Sequence, residues 1–256
     1  MQQLLLFPDP LLALIRDRLI AHQGRIDDMR TAAPIDQFVL SLIGSDTSDK
    51  TSRIAFEKLR LHFASWTDVL AAAPAAIAII IADVKHAAAK AEHLKEALRE
   101  IKTQHGTLDL GFLAGWPVAD AWSWLQILPG VGPKVAAATL NFSSLRKPIL
   151  VVDRHVLRVG KRLGLPPPKA DFRRGHRLLN GRVPNDWDDR DRHQLHWQLK
   201  SHSQTTCRAG TPRCGECPLT DICSYHSINR DKVGTLPHTP ENGRAEAAMR
   251  YGAITL

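Results

Sequence analysis

Apolar residues return every third or fourth position along most of the chain, the period of helices that bury one face. Nowhere do they alternate as a half-buried strand would. The pattern predicts a first helix from about Pro10, inside the leucine-rich segment 4–22, and a second over 34–43, opened by Pro34 and ended by Gly44. A polar turn over 45–49 supplies caps for a helix at 50–62, and shorter helices follow at 68–73 and 74–81. A long helix rich in Ala, Leu, Lys and Glu spans about 87–104 and closes at Gly106. Short helices over 109–114 and 117–127 lead into the tightest turn of the chain, Leu128-Pro129-Gly130-Val131-Gly132-Pro133-Lys134, which a helix over 133–142 follows. The apolar run 149–152 is too short to found a sheet. Asp153 caps a helix over 154–163 that Gly164 ends, and two more are expected at 170–180 and 188–203. From about Ser227 the chain turns polar and reads as a loosely held tail. With no repeat at solenoid periods, the expected fold class is all-α, many short helices joined by short turns.

The chain's 256 residues are enough for one large domain or two modest ones, and 44% hydrophobic content argues against disorder throughout. A formal net charge of +8 favours a polyanionic partner, and nucleic acid fits best. The most apolar stretch, 69–82, contains Pro74, lies between Asp68 and Asp83, and falls short of the ~18 residues that cross a bilayer, so no membrane association is expected. The N-terminus lacks a basic leader and a small-residue cleavage site, and the expected location is cytoplasmic. In that reducing compartment four cysteines confined to 207–223 read as a metal site rather than as disulfides.

The hairpin and its sequel hold the candidate chemistry. Gly130 and Gly132 suit a turn that takes positive φ and comes close to another group. With Val131 they place backbone amides at a helix N-terminus, where the dipole favours an anion such as a DNA phosphate. Such a contact is blind to base identity and sets position on the duplex. Pro133 suits the first helical position, which puts Lys134 in the first turn, the end where a cation is disfavoured. A partly buried amine there is expected to titrate low and act as a nucleophile; attack on an aldehyde-like sugar carbon gives a Schiff base that permits elimination of the 3′-phosphate. Asp153 is a good helix cap and also a carboxylate able to stabilise positive charge on a deoxyribose as its base departs. Cys207, Cys214, Cys217 and Cys223 are separated by six, two and five residues. Four thiolates so spaced wrap either a zinc ion or a cubane cluster, and spacing alone does not choose. Arg208 and Arg213, within the six-residue loop, are placed for phosphate contacts. Each feature also has an ordinary reading as a turn, a solvated amine, a cap or a loop charge.

Together the Leu-Pro-Gly-Val-Gly-x-Lys hairpin, the segment Val152-Asp153-Arg154-His155 and the six–two–five cysteine loop resemble the endonuclease III family of helix-hairpin-helix DNA glycosylases, over roughly residues 30–226. The resemblance implies two helical domains with DNA and a flipped base in the cleft between them. One, over 30–147, carries the hairpin; the other joins 1–29 to 148–226 and holds a [4Fe-4S] cluster, and 227–256 is a tail. Lys134 takes the place of the family's Schiff-base lysine, Asp153 that of its catalytic aspartate, and the four cysteines those of the cluster ligands. Adenine-specific relatives lack that lysine, so Lys134 points to a glycosylase with lyase activity. By the same resemblance the protein is a monomer, bacterial and nucleoid-associated, acting on double-stranded DNA that holds an oxidised pyrimidine or an abasic site. The family's Ser-x-Gln-x-Thr-Asp pattern, whose glutamine fills the gap left by the flipped base, reads here Gly44-Ser45-Asp46-Thr47-Ser48-Asp49, with Asp46 at that place. The second intercalating loop, at Val84-Lys85-His86, lacks the usual leucine and offers His86. Both departures leave the chemistry in place, change the contacts to the opposite base and suggest a divergent subgroup.

Overall fold

A computed structural model describes residues 10–27, 30 and 32–229. Among the described residues there are twelve α-helices, a few 3₁₀ turns and no strand, and no helix is long and apolar enough to cross a membrane. In chain order the helices are α1 (Pro10–Gln23), α2 (Pro34–Ile43), α3 (Asp49–His62), α4 (Trp66–Ala71), α5 (Pro74–Ile80), α6 (Ala87–His105), α7 (Val118–Leu125), α8 (Pro133–Phe142), α9 (Arg154–Leu163), α10 (Phe172–Asn180), α11 (Asp189–Thr205) and α12 (Ser224–Asn229). The chain divides into two units, 30–147 and 1–29 with 148–256.

In the 30–147 unit α2 is central. It buries Phe38, Val39, Leu42 and Ile43 and packs on α3, α6 and α8. The residues Val135 to Asn141 of α8 are all buried, and the two polar ones are satisfied by backbone: the Thr139 hydroxyl donates to the Val135 carbonyl and Asn141 Nδ2 to the Lys147 carbonyl, both at 2.9 Å. Leu94, Leu98 and Ile101 recur at helical spacing on α6 and complete this core. In the other unit Leu12, Ile15 and Leu19 of α1 share a core with Val156, Val159 and Leu163 of α9 and with Leu195 and Leu199 of α11.

Boundaries depart from the sequence pattern where side chains or tight turns intervene. α4 starts at Trp66, two residues early, because Ser65 and Asp68 form a reciprocal capping box. The helix expected over 109–114 is a 3₁₀ turn, Gly111–Gly115, and the Asp109 carboxylate accepts from the Gly111 N–H. α7 ends at Leu125, after which the N–H groups of Gln126, Ile127 and Leu128 each donate three residues back and tighten the chain into the hairpin. α12 occupies the start of the expected tail; the rest of that tail, from 230, lies outside the described residues.

Candidate active site

Between α8 and α9 the chain runs through buried Ile149, Leu150, Val151 and Val152 without helix or strand. Side chains stand in for a sheet partner. The Leu150 N–H donates to Asn180 Oδ1 at 2.9 Å, Asn180 Nδ2 donates back to the Leu150 carbonyl at 3.0 Å, and His196 Nδ1 lies 2.8 Å from the Val151 carbonyl oxygen. This satisfied backbone delivers Asp153 to the start of α9, where its Oδ1 accepts from the N–H groups of His155 at 2.8 Å and Val156 at 2.9 Å. Its Oδ2 faces Lys200 of α11, whose Nζ is 3.8 Å away. Burial opposes a charged Asp153, but His196, Lys200 and the Val156 N–H outweigh it and hold the carboxyl below the usual carboxylate range. Asp153 was legible from its motif. Lys200 was not, since nothing local distinguishes it from a solvated helix lysine.

In the 30–147 unit the hairpin departs in part from expectation. Gly130 takes positive φ, 74°, whereas Gly132 is in the extended region at φ −98°. A Cβ on Gly130 would come within 2.7 Å of His93 on α6, while one on Gly132 would meet open space. The close approach expected of the turn is therefore made by Gly130 to α6. Val131 is buried, and its N–H donates to the Leu128 carbonyl at 3.1 Å, which takes it out of the set of amides open to an anion. Pro133 and Lys134 are the first two residues of α8, no side chain caps that helix, and Lys134 is half-buried.

Asp46 and His86, distant in sequence, belong to one assembly in this unit. Both are exposed, and among the described residues they are two of the three non-glycine positions with positive φ, at 54° and 60°. Such backbone strain clusters at functional sites. Buried Lys90, the fourth residue of α6, donates to the carbonyls of Ile43 at 2.7 Å and Ser45 at 2.5 Å and to Thr47 Oγ1 at 3.2 Å. The Lys85 N–H also donates to Thr47 Oγ1, at 3.2 Å. One ammonium thus ties the turn holding Asp46 to the start of α6, where His86 is the capping residue. Burial first, then the charges of Lys134 and Lys85, push Lys90 down to about 8 against the opposite pull of Asp46. Lys90 was also missed in the sequence, where it stands inside an alanine-rich helix with no motif around it.

The four cysteines are free thiols that line one cavity with Arg162, His202 and Tyr225. Burial, reinforced by neighbouring cysteines, raises Cys214 and Cys223 and pushes Cys217 up to about 12. Thiols that resist ionisation together are a donor set completed by bound metal, which deprotonates its ligands. Four thiols around a shared cavity suit a cluster with several metal corners. The Leu219 N–H donates to Cys217 Sγ at 3.4 Å. Arg162 donates to Cys207 Sγ at 3.2 Å and to the carbonyls of Cys207 at 3.2 Å and Arg208 at 2.7 Å. Helix α9 therefore has Asp153 capping its start and, about 13 Å further along its axis at 1.5 Å per residue, an arginine fastened to the cysteine loop. Arg208 and Arg213 are exposed, yet each has a protein partner. Arg208 Nε donates to the Thr205 carbonyl at 3.1 Å, and Arg213 lies 3.8 Å from Glu216.

Residues 207–223 match the iron-sulfur binding domain of endonuclease III. Endonuclease III-like protein 1 of Gallus gallus is 30% identical over 214 residues, 81% of this chain and 72% of that one. A protein of Arabidopsis thaliana is 30% identical over 161 residues, 63% of this chain, and the match spans about half of that relative's length, 55%. In fold, the chain matches the solved structure of a trapped endonuclease III–DNA covalent intermediate with a TM-score of 0.72, at 18% identity, over 88% of this chain and 100% of that one. The chemistry of the donor set and the match to the loop agree on a [4Fe-4S] cluster as the cofactor. The chain belongs to the endonuclease III family of helix-hairpin-helix DNA glycosylases.

Proposed function

We propose that the protein is a base-excision DNA glycosylase with lyase activity, which removes oxidised pyrimidines from double-stranded DNA and cuts the strand at the abasic site. The observation that carries this reading is Lys134, a half-buried amine in the second position of a helix opened by the Gly-Val-Gly hairpin. With the target nucleotide turned out of the stack, the amine nitrogen bonds to C1′ as the C1′–base bond breaks. The base leaves with the bonding pair and takes up a proton. The nitrogen loses a proton and its lone pair forms a C1′=N bond as the C1′–O4′ bond breaks; O4′ takes that pair and a proton, and the opened sugar is left as a Schiff base. Loss of a C2′ proton then expels the 3′-phosphate by β-elimination, and water hydrolyses the imine to free Lys134. Asp153, held ionised at the start of α9, stabilises the positive charge that develops on the sugar in the first step.

The amides of Gly130 and Gly132 take a phosphate at the start of α8. Arg208 and Arg213 contact the backbone, and Asp46 and His86 meet the DNA where the base has left. Cys207, Cys214, Cys217 and Cys223 hold the [4Fe-4S] cluster, which when bound cross-links their loop into a rigid surface. The protein acts as a monomer.

Incubated with borohydride and a duplex bearing one abasic site, the wild-type protein is expected to form a covalent adduct and Lys134→Ala none. Failure of the wild type to form an adduct, or equal trapping by Lys134→Ala, overturns the lyase assignment. On single-lesion duplexes, release of mismatched or alkylated bases ahead of oxidised pyrimidines overturns the substrate assignment.

A further inference from the structure

We propose that Lys200 is a positioning residue for base release, a built-in counter-ion that sets the direction of the Asp153 carboxylate. The inference rests on the role given to Asp153 above. The two oxygens of Asp153 have different partners. Oδ1 accepts from His155 and Val156 at the start of α9, which fixes one edge of the carboxylate. Oδ2 faces the Lys200 ammonium at 3.8 Å, with side-chain exposures of 8% for Lys200 and 12% for Asp153. Opposite charges withdrawn this far from water persist when paired, and either one alone is strongly disfavoured. At 3.8 Å the contact is longer than a hydrogen bond. Lys200 thus steers Oδ2 without saturating it and leaves that oxygen able to face a cationic sugar.

The ammonium is itself held from another side. It lies 4.7 Å from the centroid of the Trp197 ring, and Trp197 Nε1 donates to His193 Nε2 at 2.9 Å. The other charged or titratable groups that act on Asp153 are His196 from α11 and His155 and Arg158 from α9. His155 Nδ1 is 2.9 Å from Ser203 Oγ, and Arg158 donates to the Ser203 carbonyl at 3.0 Å. Both are thereby tied to α11, so the carboxylate sits in a framework of two helices with Lys200 opposite its open oxygen.

Neutralising Lys200 leaves burial of Asp153 less opposed, so the carboxyl should titrate higher. The test is a carbon-13 NMR titration of aspartate-labelled holoprotein, the Asp153 signal assigned by its loss in Asp153→Asn. It is paired with the pH–rate profile of base release in single turnover. Lys200→Met is expected to raise the Asp153 titration and the acid limb of the profile together, by about one to three pH units, and Lys200→Arg to restore both. Lys200→Gln repeats the measurement if the Met variant does not fold. An unmoved Asp153 titration in either folded neutral variant overturns the proposal. So does a moved titration with an unmoved acid limb. A moved titration in a protein that releases no base from any lesion supports the ion pair and overturns the functional reading on which the role rests.

Discussion

Two helices of this protein begin in opposite ways. α8 opens on Gly132 and Pro133 with no side-chain cap and a lysine in its second position. α9 opens on Asp153, which takes two of its N–H groups with one oxygen and faces a buried lysine with the other. The first start leaves its dipole without a compensating side chain, which suits an anion arriving from outside. The second is electrostatically complete within its own unit. The contrast follows from what each has to do in the proposed reaction. A phosphate is brought by the DNA and needs a vacant donor set, whereas a carboxylate that stabilises a cationic sugar must be ionised before the substrate arrives.

Substitutions that separate the two starts have the largest expected effects. Lys134→Met is expected to lower nicking at a preformed abasic site by about 10³-fold or more. Asp153→Asn keeps an acceptor for the α9 cap and is expected to lower base release by about 10²–10³-fold, while borohydride trapping on a preformed abasic site persists. Loss of trapping in Asp153→Asn would show that the two starts do not have separable chemical roles.

Stability should be asymmetric as well. Asp153→Ala removes the cap of α9 and leaves Lys200 buried without its carboxylate, a loss of about 3–5 kcal/mol in urea unfolding. Lys134→Met removes no side-chain cap from α8 and is expected to change stability less. Equal losses would mean that α8 depends on its lysine for folding as α9 depends on its aspartate.

A third lysine tests whether the turn that holds Asp46 is set from within its unit. Lys90→Met leaves the carbonyls of Ile43 and Ser45 without their ammonium donor and is expected to cost about 2–3 kcal/mol. Because the folded state holds Lys90 down at about 8 from 10.5, the unfolded chain binds more protons between those values. The associated stability is therefore present above pH 10.5 and lost as pH falls through about 8. The urea midpoint of the wild type relative to Lys90→Met should accordingly rise between pH 8 and 10. A flat difference would place the ammonium in contact with solvent.

These lysines also mark how far the sequence could be read. The extents of α2 and α8 followed from Pro34 and Pro133 at their first positions, and that of α9 from Asp153 before it and Gly164 after it. Such signals are local, because a proline or a cap acts on its own turn. Lys90 and Lys200 matter through what other helices bring against them, and a lysine at a helical position looks the same in sequence whether its ammonium meets water, Ile43 or Asp153. The hairpin fell between these cases. Its turn was legible, but which glycine lies too close to its neighbour to carry a Cβ depended on His93 of α6, and the α4 start depended on a capping box that the apolar pattern does not record.

The hairpin glycines give the smallest and most selective test. Gly130 combines φ of 74° with a Cβ position 2.7 Å from His93, so Gly130→Ala is expected to cost about 1–2 kcal/mol from the left-handed backbone alone, with the contact adding to it. Gly132 is in the extended region, and a Cβ there meets nothing within 4 Å. Gly132→Ala should therefore change stability by less than about 0.5 kcal/mol. If the Gly132 amide meets a phosphate, the same methyl stands where the DNA backbone approaches, and affinity for an abasic duplex should fall several-fold in a protein of unaltered stability. A Gly132→Ala variant that melts and binds like the wild type would remove Gly132 from the DNA contact. The open start of α8 would then rest on the Gly130 amide and the helix dipole.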